Sequence, residues 1–486
     1  MRTIFRHSFG DWGFGVLTET DVVGSDDWWL VRLASELGSS FEHLYELKSY
    51  RDGEAMLPNE AFTGAERDAY TRFMHMNRLH IVELLRDART GKQKIIGFRT
   101  ASPSDSNGDS DAWTLWKASH MPSMAYNLFN DVADFGHGYL VVDHFDSDLG
   151  QVRPSFRPVS PIWANTFQNA RQPWLTEVAI EVGYDAVTGV DQIKLWRRNE
   201  SGQVVGKKAI MRVGEKSMIP TDGKVWNPGI QWEWVNVQDD LPFSSVPVVR
   251  LQTPSGAGVW EKHLDSIDRV NYLTLQLTQI VVTQAFRQAA VSGTMPSTYP
   301  ADDPLGRAGQ PVNYADIFKF GPAALWRLPS DGKLQEFSPV DPTGIKNLRD
   351  DEIRKLAAFT STPYYMLSSD SANNSAEGAS LASDKLQDQV SAMNDQAEVG
   401  IALAMGYAFE SLDDWVRADS AQIEAMWAPL RRASLQEIGS AASAAKNGGA
   451  TQRWIDEHVF SMTPAERAQA EIDRQEEALL GAVGLG

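Results

Sequence analysis

The sequence predicts an α+β chain, mainly helical, with long helices, an antiparallel β-rich region and a small turn-rich insertion. Apolar residues recur at spacings of three and four near positions 25–48, 260–291 and 379–412, the mark of helices with one buried face. Between Gln151 and Pro254 the texture changes to short apolar runs separated by Gly, Pro and Asp, as antiparallel strands require. From Gly293 to Val340 prolines and glycines break up the apolar runs, which predicts a compact insertion with a few strands.

From Ser25 to Lys48, Leu30, Leu33, Leu37, Phe41 and Leu44 form one helical stripe that stops at Arg51-Asp52-Gly53. Thr63 and Glu66 have capping-box spacing and open a second helical region that runs, with interruptions, through Asn77 to Leu85. Ile95 to Phe98 reads as a strand, Ser102 to Ser110 as a polar loop, and Trp113–Lys117 and Met121–Phe135 as helices. Tyr139 to Val142 then reads as a strand leading to the turn 146–150, and Val178–Val182, Gln192–Trp196 and Trp232–Val237 as further strands.

Trp260 to Val291 is expected to form one helix about 48 Å long. Ile267, Val270, Leu273, Leu277, Val281 and Ala285 line one side of it; Asp265, Tyr272, Gln276, Gln279, Thr283 and Arg287 line another. Asp341-Pro342 looks like an N-cap and first turn for a helix through Leu356 that ends before Pro363. A small polar loop, Ser368 to Ser375, precedes a very long helix carrying Ala379, Leu386, Val390, Met393 and Ala397 to about Leu412. Beyond Pro429, Ser434 with Glu437 and Thr463-Pro464 with Glu466 start shorter helices, split by Asn447-Gly-Gly449.

Composition limits the function classes. The 486 residues carry 45 Lys plus Arg against 64 Asp plus Glu, a formal net charge of -19, which argues against a broad basic surface for nucleic acid. Cysteine is absent, which removes disulfides, thiolate metal sites and cysteine nucleophiles together. The stretch from Val270 to Ala285 is too interrupted by Asn, Thr and Gln to span a bilayer, and residues 1–14 lack the apolar core of a signal peptide. These features lead us to expect an intracellular protein, or part of something assembled inside a cell.

Catalytic constellations are hard to find. Asp105, Asn107, Asp109 and Asp111 alternate as a calcium loop begins, but the glycine and the final glutamate are out of place. Asp143, His144, Asp146 and Asp148 flank an apparent hairpin turn, where aspartate serves the backbone. His75 and His80 miss the spacing that puts two ligands on one helix face, and no nucleophile elbow, P-loop or dinucleotide fingerprint is present. The tryptophans at 163, 174, 196, 226, 232 and 234 read as packing residues of the β region rather than as a sugar platform. A protein without catalysis, needing neither metal nor cofactor, is the expectation.

Several stretches carry a resemblance to a known family. They are Leu44-Tyr-Glu-Leu-Lys-Ser-Tyr-Arg-Asp-Gly53 leading to Leu57-Pro58, Asn77-Arg-Leu-His-Ile-Val-Glu-Leu84 with Ile96-Gly-Phe-Arg99, and Ala112-Trp-Thr-Leu-Trp116. The most diagnostic is Ile353-Arg-Lys-Leu-Ala-Ala-Phe-Thr-Ser-Thr-Pro363, followed by Ser375-Ala-Glu377. With the order of helices, insertion, returning helix and polar loop, the chain resembles the portal proteins of tailed double-stranded DNA bacteriophages, in particular an actinobacterial-phage branch.

That resemblance implies a portal fold: wing 1–254 with its β-rich part at 139–254, stem helix 255–292, clip 293–341, returning stem helix 342–367, channel loop 368–375, long wing helix 376–428 and crown 429–486. It implies a homo-oligomeric ring of about twelve subunits at one capsid vertex, made in the host cytoplasm and carried in the virion. Double-stranded DNA would pass through without sequence-specific binding, and the partners would be the major capsid protein, the terminase and a head–tail connector. The loop residues Ser368, Ser369, Asp370, Ser371, Asn373, Asn374 and Ser375 would line the channel, and Gln276, Gln279 and Thr283 are candidates to face it from the stem. Tyr299, Asp302, Asp303, Arg307 and Tyr314 are candidate partner contacts of the clip, where exposed turns on a scaffold carry binding residues. About twelve copies at -19 would place on the order of two hundred negative charges around the DNA, which favours sliding over tight phosphate binding. The alternatives are a soluble carboxylate-dependent hydrolase built on the Trp-rich middle region and a virion adaptor other than a portal.

Overall fold

A computed structural model describes residues 22–55, 65–100, 108–146, 152–229, 232–285, 289–292, 297–304, 306–313, 333–336, 341–368, 376–430 and 435–483. It is an α+β structure in two compact units: Met1–Ala55, His80–Leu264 and Ala357–Gly486 form the first, Met56–Leu79 and Asp265–Leu356 the second.

Helix α1 (Asp26–Arg51) starts where the sequence says it should, because the Ser25 side chain accepts the Trp28 N–H and Asp26 and Asp27 sit in the first turn. Its stripe Leu30, Leu33, Leu37, Phe41 and Leu44 is buried as expected. Gly38 on the same helix is required by close approach: a Cβ there would lie 2.0 Å from the Trp226 carbonyl oxygen. Helices α2 (Ala65–Met76) and α3 (Ile81–Thr90) are separate, with the break at 77–80. The proposed cap residue Thr63 lies outside the described residues.

Strand β1 (Ile95–Arg99), helix α4 (Ser110–Ala118) and helix α5 (Met121–Phe135) follow. Strands β2 (His137–Asp146), β3 (Val152–Val159), β4 (Ala164–Gln168), β5 (Thr176–Asp185), β6 (Val190–Arg198), β7 (Val204–Arg212), β8 (Glu233–Leu241) and β9 (Val248–Gln252) make two antiparallel sheets, ordered β3-β2-β9 and β4-β5-β6-β7-β8. The inner face of the five-stranded sheet, with Val178, Ile180, Ile193 and Leu195, packs on the stripe of α1. The turn 147–150 lies outside the described residues.

The expected single helix from Trp260 to Val291 is a correction. A short 3-10 turn, Glu261–His263, precedes α6 (Leu264–Ala285), whose 22 residues span about 33 Å. Residues 289–292 are instead strand β10 (Ala289–Ser292), paired antiparallel with β11 (Lys333–Glu336). Cross-strand pairing outweighs helical periodicity in this short run, which ends at the helix-breaking Gly293. The buried edge of α6 also differs from the sequence reading: Ile267, Val270, Asn271 and Leu275 are buried, whereas Val281 is 59% exposed. Asn271 belongs inside because its Oδ1 accepts the Leu79 N–H at 2.9 Å, and Leu275 packs with Met74 and Phe73 of α2.

Helix α7 (Thr343–Phe359) opens with the Thr343 N–H donating to Asp341 Oδ1 and ends before Pro363, as expected. A single turn, α8 (Tyr364–Leu367), follows, and then α9 (Ala376–Glu410) runs for 35 residues. The segment expected as long wing helix through 428 stops being helical at Glu410. Asp413 adopts a left-handed φ of 59°, and the Asp414 N–H returns to the Phe409 carbonyl. Beyond it β12 (Glu424–Trp427) pairs with β1.

The inner face of α9, with Ala397, Ile401, Ala404, Met405, Ala408 and Phe409, shares one core with Trp116, Phe129, Tyr139 and Leu251. Helices α10 (Leu435–Asn447), α11 (Gln452–His458) and α12 (Pro464–Val483) close the chain. The expected capping box at Thr463 and Glu466 is formed in both directions.

Candidate channel and docking elements

In the second unit, α6 and α7 are joined by an ion cluster: Arg269 Nε reaches Glu352 Oε2 at 3.1 Å and Lys355 Nζ reaches Glu352 Oε1 at 2.8 Å. The Lys355 hydrogen bond, together with Arg269, holds the Glu352 carboxyl below its ordinary range. Asp265, Arg269, Tyr272, Gln276 and Gln279 follow one another at helical spacing on α6. Asp265, Arg269 and Gln279 are exposed and Gln276 is half-buried, so two of the three candidate stem positions lie on this polar stripe. The side chain of Thr283 lies outside the described residues.

The insertion brings three of its candidates into one small knot. Arg307 grips the Asp303 carboxylate with Nε at 3.0 Å and Nη2 at 3.1 Å, and its guanidinium lies 3.9 Å over the Tyr299 ring. Tyr299 is buried and Asp303 half-buried, so both shape the loop from within; Asp302 beside them is exposed. Tyr314 lies outside the described residues.

Of the expected channel loop, Ser368 is described: it is extended, with its N–H on the Tyr364 carbonyl. Ser369, Asp370, Ser371, Asn373, Asn374 and Ser375 lie outside the described residues. The chain just before the loop is fixed by Arg89, a residue that no sequence motif marks. Arg89 is 3% exposed and donates to the carbonyls of Leu85 and Thr360, to Thr362 Oγ1 at 3.3 Å and to Gln389 Oε1 at 2.9 Å. Its acceptors are neutral, and burial pulls its guanidinium down to about 10. It ties α3, the 360–362 turn and α9 together, and Ser361 in that turn takes a left-handed φ of 51°. The signal was present: Arg89 continues the Ile81, Leu85 spacing on the buried face of α3.

A second group is an acid pair on α5, Asp134 fully buried and Asp131 half-buried. Trp260 is fully buried, and its Nε1 donates to Asp134 Oδ1 at 2.8 Å. Gly258 lets the backbones meet there, since a Cβ would lie 2.3 Å from the Asp134 carbonyl oxygen. Arg86 faces Asp134 at 3.5 Å and Arg51 faces Asp131 at 3.3 Å. Burial outweighs these cations and pushes both carboxyls up to about 6.

Against an ordinary value of 3.8, the folded chain therefore takes up protons between about pH 6 and 4 that the unfolded chain does not. The pair's contribution to stability is full below about pH 4 and is lost as pH rises through 6. Asp134→Asn keeps the Trp260 acceptor and removes one titration. Relative to the parent chain, this variant is expected to gain about 1 kcal/mol less stability between pH 7 and pH 5, measured by denaturant unfolding at both values.

Of the acidic positions that could suggest a metal site, Asp109, Asp143 and His144 have structural partners, while Asp105, Asn107, Asp148 and the side chain of Asp146 lie outside the described residues. Asp109 caps α4 by accepting the N–H groups of Asp111 and Ala112 at 2.9 Å, and Arg417 faces it at 3.3 Å. Asp143 pairs with Arg157 at 3.0 Å, while His144 Nδ1 meets the Ser411 hydroxyl at 2.8 Å. Among the described residues no cluster of three or more His, Cys, Asp or Glu is placed to hold a metal ion, and no helix is long and apolar enough to cross a membrane.

No protein-family model matches the chain. It is 24% identical over 377 residues to the portal protein of Mycobacterium phage L5, an alignment covering 74% of this chain and 70% of that protein. Among solved structures it is similar to an HK97-family phage portal protein from Corynebacterium diphtheriae, at TM-score 0.32 and 11% identity, over 76% of this chain and 96% of that one. It is also similar to a chain in the neck of an empty gene transfer agent particle, at TM-score 0.39 and 12% identity, over 82% and 92% of the two chains. Over about three quarters of its length, this chain thus resembles a phage portal protein, as its motifs indicate.

Proposed function

We propose that the chain is a portal protein: a ring-forming subunit at one capsid vertex that gives DNA a channel and offers terminase and connector proteins a docking platform. The observation that carries this reading is the antiparallel pairing of β10 with β11, which brings together two short strands that flank the Pro- and Gly-rich insertion in the stretch of chain between α6 and α7. An insertion flanked by paired strands can present turns to a partner without disturbing the helices that carry it. In this reading α6 and α7 are the stem, the insertion is the clip, residues 368–375 line the channel, and the helices after 429 are the crown. The polar stripe through Gln276 and Gln279 supplies a channel wall with few fixed cations, which suits passage of a polyanion. The role is structural, and motor work falls to the terminase.

The clip assignment is tested by separating two neighbouring aspartates. Asp302→Lys reverses an exposed charge and is expected to weaken connector or terminase binding about tenfold while leaving stability within about 0.5 kcal/mol. Asp303→Lys breaks the grip on Arg307 and is expected to destabilise the insertion itself. Unchanged partner binding by the Asp302 variant, measured by titration calorimetry, would remove that residue from the docking surface.

A further inference from the structure

We propose that the cavity enclosed by the 253–263 segment, the end of α7 and the middle of α9 is a binding site for a phosphoryl oxyanion. The cavity holds about 290 Å³ and is lined by Arg89, Lys262 and His263 together with the polar side chains of Thr253, Ser255 and Gln389. No aspartate or glutamate is among its lining residues. In a chain of formal net charge -19, a cavity with two fixed cations, a histidine and no carboxylate is out of character.

The nearest acid in sequence, Glu261, is spent elsewhere: it meets His43 Nε2 at 3.1 Å and accepts the Gly258 N–H at 2.7 Å. Arg89 is almost fully buried and its acceptors among the described residues are neutral, so its charge is desolvated with no counter-ion among them, a state that a bound anion relieves. His263 lies against Phe359, rings stacked at 6.2 Å, and its own charge is disfavoured by burial and then by Arg89 and Lys262. An oxyanion of about phosphate size would face Lys262, His263 and the Arg89 side chain at once, and the Ser255 hydroxyl, held by a long 3.4 Å contact to the Ala257 carbonyl, can turn to donate to it. Its source is either free inorganic phosphate or the phosphodiester backbone of DNA. The site depends on this cavity alone and stands whether or not the chain forms a ring.

The test is calorimetric titration of the full chain with inorganic phosphate at matched ionic strength, beside Lys262→Gln and His263→Gln, which spare the structural role of Arg89. Saturable binding by the parent chain, weakened about tenfold or more by Lys262→Gln, is expected. Phosphate should also raise the pH at which the His263 ring resonances titrate, which a purely structural role for the cavity would not do. A short DNA duplex that competes with phosphate would assign the ligand to the nucleic-acid backbone, and a duplex that does not compete would assign it to the free ion. Absence of saturable phosphate binding, or equal binding by the parent and both variants, would overturn the proposal.

Discussion

Trp260→Ala is expected to cost about 3–5 kcal/mol, measured as the loss of unfolding free energy in denaturant with the parent chain as reference. The indole is fully buried where the chain leads into α6, packs near Tyr50 with ring centroids 6.3 Å apart, and supplies the hydrogen bond at Asp134 Oδ1. Its removal leaves a cavity and a buried carboxyl with one donor fewer. Trp260→Phe separates the two effects. It fills most of the volume but donates nothing, so it is expected to cost about 1–3 kcal/mol and to shift the Asp134 carboxyl further upward. A Trp260→Ala variant as stable as the parent would show that the segment before α6 is held by other contacts.

The second large effect is at Arg89. Burial disfavours the guanidinium charge, yet removing it takes donors from the Leu85 and Thr360 carbonyls, Thr362 Oγ1 and the Gln389 amide oxygen together, at a combined cost of about 3 kcal/mol. Arg89→Ala is therefore expected to lose about 3 kcal/mol and to loosen the 360–362 turn, read as faster amide exchange at Ser361 and Thr362. Arg89→Lys keeps a charge but not the planar fork, so it should recover part of the stability and little of the exchange protection. Unaltered exchange in the alanine variant would mean that Arg89 does not fix the turn.

The helical stripes were legible in the sequence because burial follows their period. Leu30 to Leu44 on α1 and Leu386 to Ala397 on α9 point inward at the spacings that the sequence displays. The cap at Thr463 was legible because its donor and acceptor are three residues apart, whereas Ser25 shows its capping role only in the structure. What escaped notice depends on partners distant in sequence. Arg89 reaches acceptors 271, 273 and 300 residues away, and the four-residue strand β12 exists only because β1 lies beside it. Ala289 to Ser292 carries too few residues to tell strand from helix by pattern, and its pairing with Lys333–Glu336 decides the matter. In the insertion, Asp303 and Arg307 read as surface charges until the fold shows them gripping each other across one turn of loop. The loop at 368–375 shows in the sequence as small polar residues between two helices, its channel role is implied by the family resemblance, and its lone described member, Ser368, follows α8, a single turn that no periodicity could announce.

Ring formation is tested most directly by measuring the native mass of the full chain over a range of concentrations and imaging the same sample in negative stain. The portal reading predicts closed rings of roughly a dozen 53.9 kDa subunits around a central opening. A stable monomer or closed dimer at every concentration, with no annular particles, would contradict it.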